Sequence, residues 1–156
     1  MVKLHHCHYL SPTPQSVFTF SHPPPRVPLT GDGALVSETD IHANASNRRY
    51  QHLSFTIAQG CGNTTIHGFA GTFESELFEG VMLSIKPDTH TPGMFSWFPL
   101  FLPLASPLLV RAGDVVAVHL WRCVDEHRVW YEWCLSSPVA SPVQNSNGAS
   151  YAIRLS

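Results

Sequence analysis

The sequence contains little charge of either sign. Charged residues are only 13% of its 156 residues, with 9 Lys and Arg against 11 Asp and Glu, whereas soluble domains usually contain about 25%. A protein that binds nucleic acid through its phosphates needs a cluster of basic side chains. Because the sequence has no such cluster, we expect no nucleic acid among its partners.

A long uninterrupted apolar run is also missing. The most apolar segment, residues 95–110, is interrupted by Pro99, Pro103 and Pro107, so it is too short and too broken for a transmembrane helix. Residues 1–9 lack the apolar centre of a secretory signal peptide. We therefore expect no membrane partner and a cytoplasmic and nuclear location.

The sequence has 4 cysteines but no CxxC pair, and their irregular spacing indicates reduced thiols. His5, His6, Cys7 and His8 are residue types that bind zinc. Successive side chains of a strand point to opposite faces, however, so four in a row do not converge on one ion. A second group of ligands at metal-binding spacing is absent too. We predict no metal site, and metal binding through this segment is kept as the weaker hypothesis.

Apolar side chains alternate with polar ones in several segments, which is the period of two that predicts β-strands. In residues 50–58, leucine, phenylalanine and isoleucine alternate with His, Ser and Thr. Residues 114–124 and 128–136 show the same alternation. The polar residues between them, 125–127, predict the loop of a hairpin.

The whole pattern predicts an all-β domain, since no stretch keeps a helical period beyond two turns. We expect one domain over residues 1–156, an antiparallel β-barrel or sandwich of about eight to ten short strands. One long loop should interrupt it. Residues 24–49 combine prolines, glycines and a polar run and predict a flexible connection.

A second loop, residues 87–97, is apolar instead of polar. It contains Pro92, Gly93, Met94, Phe95 and Trp97. Rigid loops with large aromatic side chains either pack into a core or meet a partner. The face of an indole attracts a guanidinium group, so Trp97 is a candidate wall of a pocket for a flat cation. On the residues alone, a plug that closes one end of a barrel is favoured over this pocket.

The sequence lacks the patterns of a self-sufficient enzyme. Residues 67–71 contain two glycines, but not the GxGxxG spacing that binds dinucleotides between a strand and a helix. The acidic residues of 74–79 are expected on a solvated face. If the register of the hairpin places Glu132 opposite Arg122, the two are expected to form a structural ion pair. No Ser, Cys or Thr has a base at a recognisable spacing. We expect no catalytic residue and no bound cofactor in this chain, which should be inactive alone.

Six motifs nevertheless occur together and in order. They are Phe18-Thr19-Phe20-Ser21-His22-Pro23, His67-Gly68-Phe69-Ala70-Gly71, Pro92-Gly93-Met94-Phe95-Ser96-Trp97-Phe98-Pro99, Trp121-Arg122-Cys123, Val129-Trp130-Tyr131-Glu132-Trp133, and Asn145 through Gly148 to Ser150-Tyr151. Together they resemble the C-terminal β-barrel domain of the type II, symmetric-dimethylating protein arginine N-methyltransferases of subtype five. The resemblance runs over residues 2–155, except that residues 24–49 look like an expanded loop.

The resemblance implies a longer protein than this chain. In that family an N-terminal TIM barrel and an S-adenosylmethionine-binding domain with two catalytic glutamates precede the β-barrel. Neither domain is found in this sequence, which would then be a fragment, with S-adenosylmethionine a cofactor of the full-length enzyme only. The full-length enzyme would dimethylate arginines of histones and Arg-Gly-rich proteins symmetrically, and a homo-oligomer would form only in the full-length protein.

The resemblance also implies a role for the second loop. Trp97 would line the pocket of the substrate arginine, Ser96 and Phe98 would shape that pocket and contact the peptide, and Phe95 belongs to the same substrate-binding set. Three positions depart from the pattern of the family: Thr72, Ala149 and Arg154. The alternative is a free-standing β-sandwich that binds peptides or sugars through the same aromatic side chains.

Overall fold

The structure is a computed structural model that describes residues 15–18 and 48–155. Within this part the chain forms eight β-strands and one 3₁₀ turn, and no helix in it is long and apolar enough to cross a membrane. The strands are β1 (Arg49–Thr56), β2 (Thr64–Gly71), β3 (Glu74–Phe78), β4 (Val81–Ser84), β5 (Leu100–Val110), β6 (Val115–Val124), β7 (Arg128–Ser137) and β8 (Ile153–Arg154), and the 3₁₀ turn is Ser146–Gly148.

Two sequence predictions fall on residues outside this part. The histidine-rich segment 5–8 lies there, and so do residues 24–47 of the predicted loop. The end of that predicted loop is described, and it differs from the expectation because β1 already begins at Arg49.

The described chain divides into two compact units. One of them, Gln59–Asp114, contains β2 to β5, and the other contains β1, β6, β7 and β8. In the second unit the four strands form one antiparallel sheet in the order β1-β6-β7-β8. The hairpin predicted from the two alternating segments is confirmed as β6 and β7, joined at residues 125–127.

The alternation seen in the sequence explains which face of this sheet is buried. Leu53 lies opposite Val118, and Val118 lies opposite Leu135 on the next strand, so the three side chains share one face. Complete burial of such a side chain stabilises a fold by about 1.5–3 kcal/mol. The buried apolar side chains of this face are Leu53, Val116, Val118, Leu120, Val129, Trp133 and Leu135.

The opposite face of the same sheet carries a stack of rings. His52 and His119 lie opposite each other with ring centroids 4.5 Å apart. Tyr50 and Trp121 form the neighbouring pair at 5.4 Å. The Tyr50 hydroxyl is hydrogen-bonded to Nδ1 of His119 at 2.7 Å. Cross-strand pairs of this kind reinforce the register that the buried face sets.

The unit of residues 59–114 contains two separate antiparallel pairs, β2 with β5 and β3 with β4. A register shift in β2 between Ile66 and Gly68 marks a bulge. A Cβ atom at Gly68 would overlap the main-chain oxygen of Leu102, so any side chain at this position would force the neighbouring strand to move. The all-β antiparallel class is thus confirmed, although no single sheet of the described chain closes on itself.

Candidate functional site

The candidate site is the aromatic loop, residues 92–99, which connects β4 to β5. Gly93 has φ +75°, a conformation that glycine adopts at no steric penalty. The loop turns back sharply at this point, and a Cβ atom at Gly93 would meet nothing within 4 Å. The requirement for glycine is therefore conformational, not a matter of space.

The aromatic side chains of this loop are exposed. Phe95 is 85% exposed, Phe98 is 75% exposed and Trp97 is 56% exposed, and Ser96 between them is exposed as well. A buried plug would show the opposite values, so the plug interpretation, which the residues alone had favoured, is wrong. The loop presents its rings to its surroundings, which is the arrangement expected where a partner is missing.

Trp97 is the only one of these rings for which a packing partner is seen in the described chain. Its ring meets Phe73 in an edge-to-face contact, with centroids 5.2 Å apart and planes inclined by 70°. Contacts of this geometry are favourable by about 0.5–1.5 kcal/mol beyond the burial of area. Trp97 is thus supported from one side while more than half of its surface stays accessible.

The first half of the connection is tied to β4 by the main chain. The Thr91 amide donates to the carbonyl oxygen of Ser84 at 2.9 Å, and the Met94 amide donates to the carbonyl oxygen of Thr91 at 3.3 Å. The hydroxyl of Thr91 accepts from the Ser84 amide at 2.9 Å. The loop therefore leaves β4 in a defined direction despite its exposure.

The described residues contain no group of three or more His, Cys, Asp or Glu side chains placed to hold a metal ion. Burial raises the pKa of the Cys123 thiol, an effect that the nearby Glu132 carboxylate increases, and burial also raises the pKa of the Cys134 thiol. Both thiols are protonated at neutral pH and are poor nucleophiles. Residues 67–71 lie within β2, so they form no phosphate-binding turn between a strand and a helix.

The ion pair expected between Arg122 and Glu132 does not match the register. Arg122 lies opposite Tyr131 and Glu132 lies opposite Trp121, so the two side chains leave opposite faces of the sheet. Glu132 instead accepts from Nε1 of Trp130 at 2.8 Å and from the amide of Asn147 at 2.7 Å. Its role in the sheet is structural, as expected, but with different partners.

Comparison with known proteins identifies the family. Residues 1–153 match the family model described as the PRMT5 oligomerisation domain. The chain belongs to this family. It is 46% identical over 155 residues to protein arginine N-methyltransferase 5 of rice (Oryza sativa subsp. indica) and 42% identical over 155 residues to the protein of the same name from Xenopus laevis, and both matches cover 99% of the chain. Protein arginine N-methyltransferase skb1 of Schizosaccharomyces pombe is 35% identical over 79% of the chain.

The chain is only a part of what its relatives contain. It spans 21% of the length of the rice and Xenopus proteins and 18% of the fission-yeast protein. The resemblance found in the sequence is therefore confirmed as membership of the PRMT5 C-terminal domain family. The roles of Phe95, Ser96, Trp97 and Phe98 in substrate binding stay predictions.

The sequence analysis missed a second exposed surface of this PRMT5-family domain. Strands β3 and β4 form a hairpin, and every residue of β3 is exposed. At its tip are four large apolar side chains between 47% and 69% exposed: Leu77, Phe78, Val81 and Met82. Glu76 and Glu79 lie beside them in the sequence, and these acidic residues predicted a solvated face for the whole segment. The signal was available, because large apolar residues flank the turn on both sides.

The turn of this hairpin is tight. Glu79 and Gly80 have φ +43° and +82°, the combination of a two-residue type I′ turn. The Gly80 amide donates to Oε1 of Glu76 at 2.8 Å and reinforces the turn. An isolated two-stranded hairpin is marginally stable in water, and this hydrogen bond supports the turn that carries the apolar tip.

The last of the matched motifs is explained by one side chain. Asn145 Nδ2 donates to the carbonyl oxygens of Tyr131 and Tyr151, both at 2.8 Å. Asn145 Oδ1 accepts from the amides of Ser150 and Tyr151, at 2.9 and 3.0 Å. This asparagine therefore fastens the segment that follows β7 to the sheet of its own unit.

Proposed function

We propose that this chain is the substrate-positioning module of a type II protein arginine methyltransferase. In the full-length enzyme Trp97, with Phe95, Ser96 and Phe98, completes the pocket that holds the substrate arginine during symmetric dimethylation. The observation that carries the proposal is the Trp97 ring, which is packed on Phe73 on one side and accessible over most of its surface. Membership of the PRMT5 family supports the reaction class.

The chemistry of the substrate explains why an indole suits this task. A guanidinium group is attracted to the face of an indole by about 0.5–1 kcal/mol at exposed sites and by about 2 kcal/mol or more once water is excluded. A rigid wall also restricts the orientations of the group, which favours the one that reacts. Closure of a second domain over the exposed loop would exclude water and bring Trp97 into the stronger range.

The methyl donor of such an enzyme, S-adenosylmethionine, does not fit the described residues of this chain. Its adenosine requires a glycine-rich turn between a strand and a helix with an acidic residue for the ribose. The glycine-rich segment 67–71 is a β-strand, and the described chain contains no α-helix. We therefore place donor binding and catalysis in the remainder of the full-length enzyme, and the chain alone should show no turnover.

A free-standing peptide- or sugar-binding module is the competing function. Such a module needs a concave site in which polar groups of the same domain converge on the ligand. Phe95 and Phe98 project with 85% and 75% of their surfaces exposed, which is the geometry of side chains that enter another surface. The positioning role accounts for this projection and the free-standing role does not.

The test uses the rice relative with this chain in place of its own corresponding region, which shares 46% identity. Trp97→Ala should lower kcat/KM for an Arg-Gly-rich peptide by about 30-fold, the equivalent of about 2 kcal/mol. Binding of S-adenosylmethionine, measured by calorimetry, should persist. Leu109→Ala is the matched control, since Leu109 is an exposed apolar side chain of the same unit outside the loop. An unchanged rate for Trp97→Ala would remove Trp97 from the pocket.

We also propose that the exposed β3–β4 hairpin mediates contact between copies of the full-length protein. The apolar tip is the observation that favours this second role, and the description of the family as an oligomerisation domain supports it. Phe78→Asp in the same full-length chimera should lower the mass measured by light scattering, while Leu109→Asp should not. An unchanged mass for Phe78→Asp would contradict the assignment and point to a contact within one copy.

A further inference from the structure

A buried hydroxyl group, that of Ser84 at the end of β4, is hydrogen-bonded to the segment that leads to the aromatic loop. Ser84 is 1% exposed and is the only buried polar side chain among the described residues. Its Oγ accepts from the Lys86 amide at 3.1 Å and lies 2.8 Å from Oγ1 of Thr89. Placing a hydroxyl at such a position is unfavourable unless its hydrogen bonds are complete, so the site is specified for a polar group.

The direction of the hydrogen bonds follows from the number of protons available. Thr89 has one hydroxyl hydrogen and donates it to Oε2 of Glu74 at 2.7 Å. The Ser84 hydroxyl must then donate to Thr89, because a carboxylate is only an acceptor and Thr89 has no second hydrogen. The result is a directed chain from Ser84 through Thr89 to the Glu74 carboxylate. Lys86 Nζ lies 3.7 Å from the same Oε2 and forms an ion pair with it.

This chain of hydrogen bonds connects Phe73, on which Trp97 packs, with the segment that leads into the aromatic loop. Glu74 follows Phe73 directly in the sequence, and Phe73 is the ring on which Trp97 packs. The Ile85 amide donates to the carbonyl oxygen of Phe73 at 3.0 Å, which fixes the same residue from the β4 side. At the other end, Thr89 lies in the segment that leads into the aromatic loop.

We propose that Glu74, Ser84 and Thr89 are positioning residues that hold the Trp97 indole in one orientation toward the substrate guanidinium. The proposal rests on the proposed function of the loop. The buried end of this chain is the Ser84 hydroxyl, which must keep its hydrogen-bond partners to avoid a desolvation penalty; Thr89 and Glu74 are exposed and extend the chain to the segments on either side of Trp97. An error of about 1 Å in the placement of a binding group is enough to reduce catalysis by about 100-fold.

The first test needs only the chain itself. Thr89→Val keeps the shape of the side chain and removes both hydrogen bonds, whereas Thr89→Ser keeps the hydroxyl. In ¹⁵N NMR spectra, Thr89→Val should shift and broaden the indole signal of Trp97 while leaving those of Trp121, Trp130 and Trp133 in place. Exchange of the Met94 amide with solvent should become about tenfold faster, and Thr89→Ser should restore both signals.

The control is Thr65→Val, an equivalent change at an exposed threonine of β2 in the same unit. It should leave the Trp97 signal unchanged. If Thr89→Val destabilises the chain too far for NMR, Glu74→Gln provides a second variant, since an uncharged amide accepts a weaker hydrogen bond. A Trp97 signal that is unaffected by Thr89→Val or by Glu74→Gln overturns the proposal.

The second test uses the chimera with the rice relative and separates positioning from general stability. Thr89→Val should lower kcat/KM for the arginine peptide by about tenfold and leave the KM for S-adenosylmethionine unchanged. In the Trp97→Ala background, Thr89→Val should cause less than a further twofold loss, because its effect acts through the indole. Equal losses in both backgrounds would overturn the positioning role.

The two proposals fail in distinguishable ways. A normal rate for Trp97→Ala would contradict the proposed function, whatever the NMR spectra of the chain show. An unmoved Trp97 signal in Thr89→Val, together with a slow Trp97→Ala enzyme, would contradict the positioning role alone.

Discussion

Replacement of Asn145 tests how one side chain holds the end of the chain on its sheet. Asn145→Ala removes four hydrogen bonds, two to carbonyl oxygens and two from amides. Each is worth about 0.5–1.5 kcal/mol net, and because most of them are solvent-exposed we use the low end of that range. Loss of these four hydrogen bonds alone should lower the free energy of unfolding by about 2–3 kcal/mol, which corresponds to a Tm decrease of about 4–12 °C for a domain of this size.

A second replacement separates the hydrogen bonds from the backbone conformation. Asn145 has φ 52° and ψ 35°, a left-handed conformation that asparagine tolerates and that alanine resists by about 1–2 kcal/mol. Asn145→Gly should therefore lose only the free energy of the hydrogen bonds, and Asn145→Ala should be about 1 kcal/mol more destabilising than Asn145→Gly.

The assay is urea unfolding of the 156-residue chain followed by tryptophan fluorescence. Trp130 is a suitable reporter, because it lies beside Gly148 of the same segment. If Asn145→Ala changed the unfolding free energy by less than about 0.5 kcal/mol, the hydrogen bonds would not stabilise the fold as argued. If Asn145→Gly had a lower free energy of unfolding than Asn145→Ala, the argument from the backbone conformation would fail.

Three further predictions follow from local geometry. Gly68→Ala should destabilise the chain by about 1–3 kcal/mol, because the Cβ of alanine would overlap the Leu102 oxygen. Gly71→Ala is the control and should change urea unfolding little, since a Cβ at Gly71 would lie 3.6 Å from its nearest atom. Equal effects of the two substitutions would contradict the close approach at Gly68. Glu79→Asn should slow amide exchange in the β3–β4 hairpin because asparagine suits the first position of a type I′ turn, and Glu79→Gln should not; a faster exchange in Glu79→Asn would show that the turn differs. Hydrogen bonds from the His127 amide, and further bonds from Arg128, hold the pKa of Asp125 below its ordinary value. The contribution of the Asp125 carboxylate to stability is therefore present above about pH 3.9 and is lost as the pH falls through the lowered pKa. The stability of Asp125→Asn should depend less on pH between about pH 5 and 2. Identical acid unfolding of the two proteins would refute this.

The sequence was most informative where one face of a strand is buried. The alternation in residues 50–58 and in the β6–β7 hairpin follows directly from the buried face that holds Leu53, Val118 and Leu135. β5 was not predicted as a strand, since Pro103 and Pro107 lie within it. Proline is tolerated there because β5 pairs with β2 alone among the described strands.

The candidate site was predictable in its composition but not in its exposure. An apolar loop with a tryptophan fits both a plug and a projecting loop, and only the fold decides between them. The support behind Trp97 was also beyond sequence reasoning. Ser84 and Thr89 are ordinary residues at the end of a strand and in a loop, and they acquire a role through their distances to each other and to Glu74.

In the sequence, β2 to β5 lie between β1 and β6, although β1 pairs directly with β6. This order affects how the chain folds. β6 and β7 are joined by a short loop and can meet within microseconds. β1 must find β6 across the whole of residues 57–114, since Thr56 pairs with Val115, and this closure lowers chain entropy before any contact compensates for it. We expect refolding to begin at the β6–β7 hairpin and to end with the docking of β1. A designed version in which a two-residue turn replaces residues 57–114 should form the same four-stranded sheet, β1-β6-β7-β8, and should fold faster.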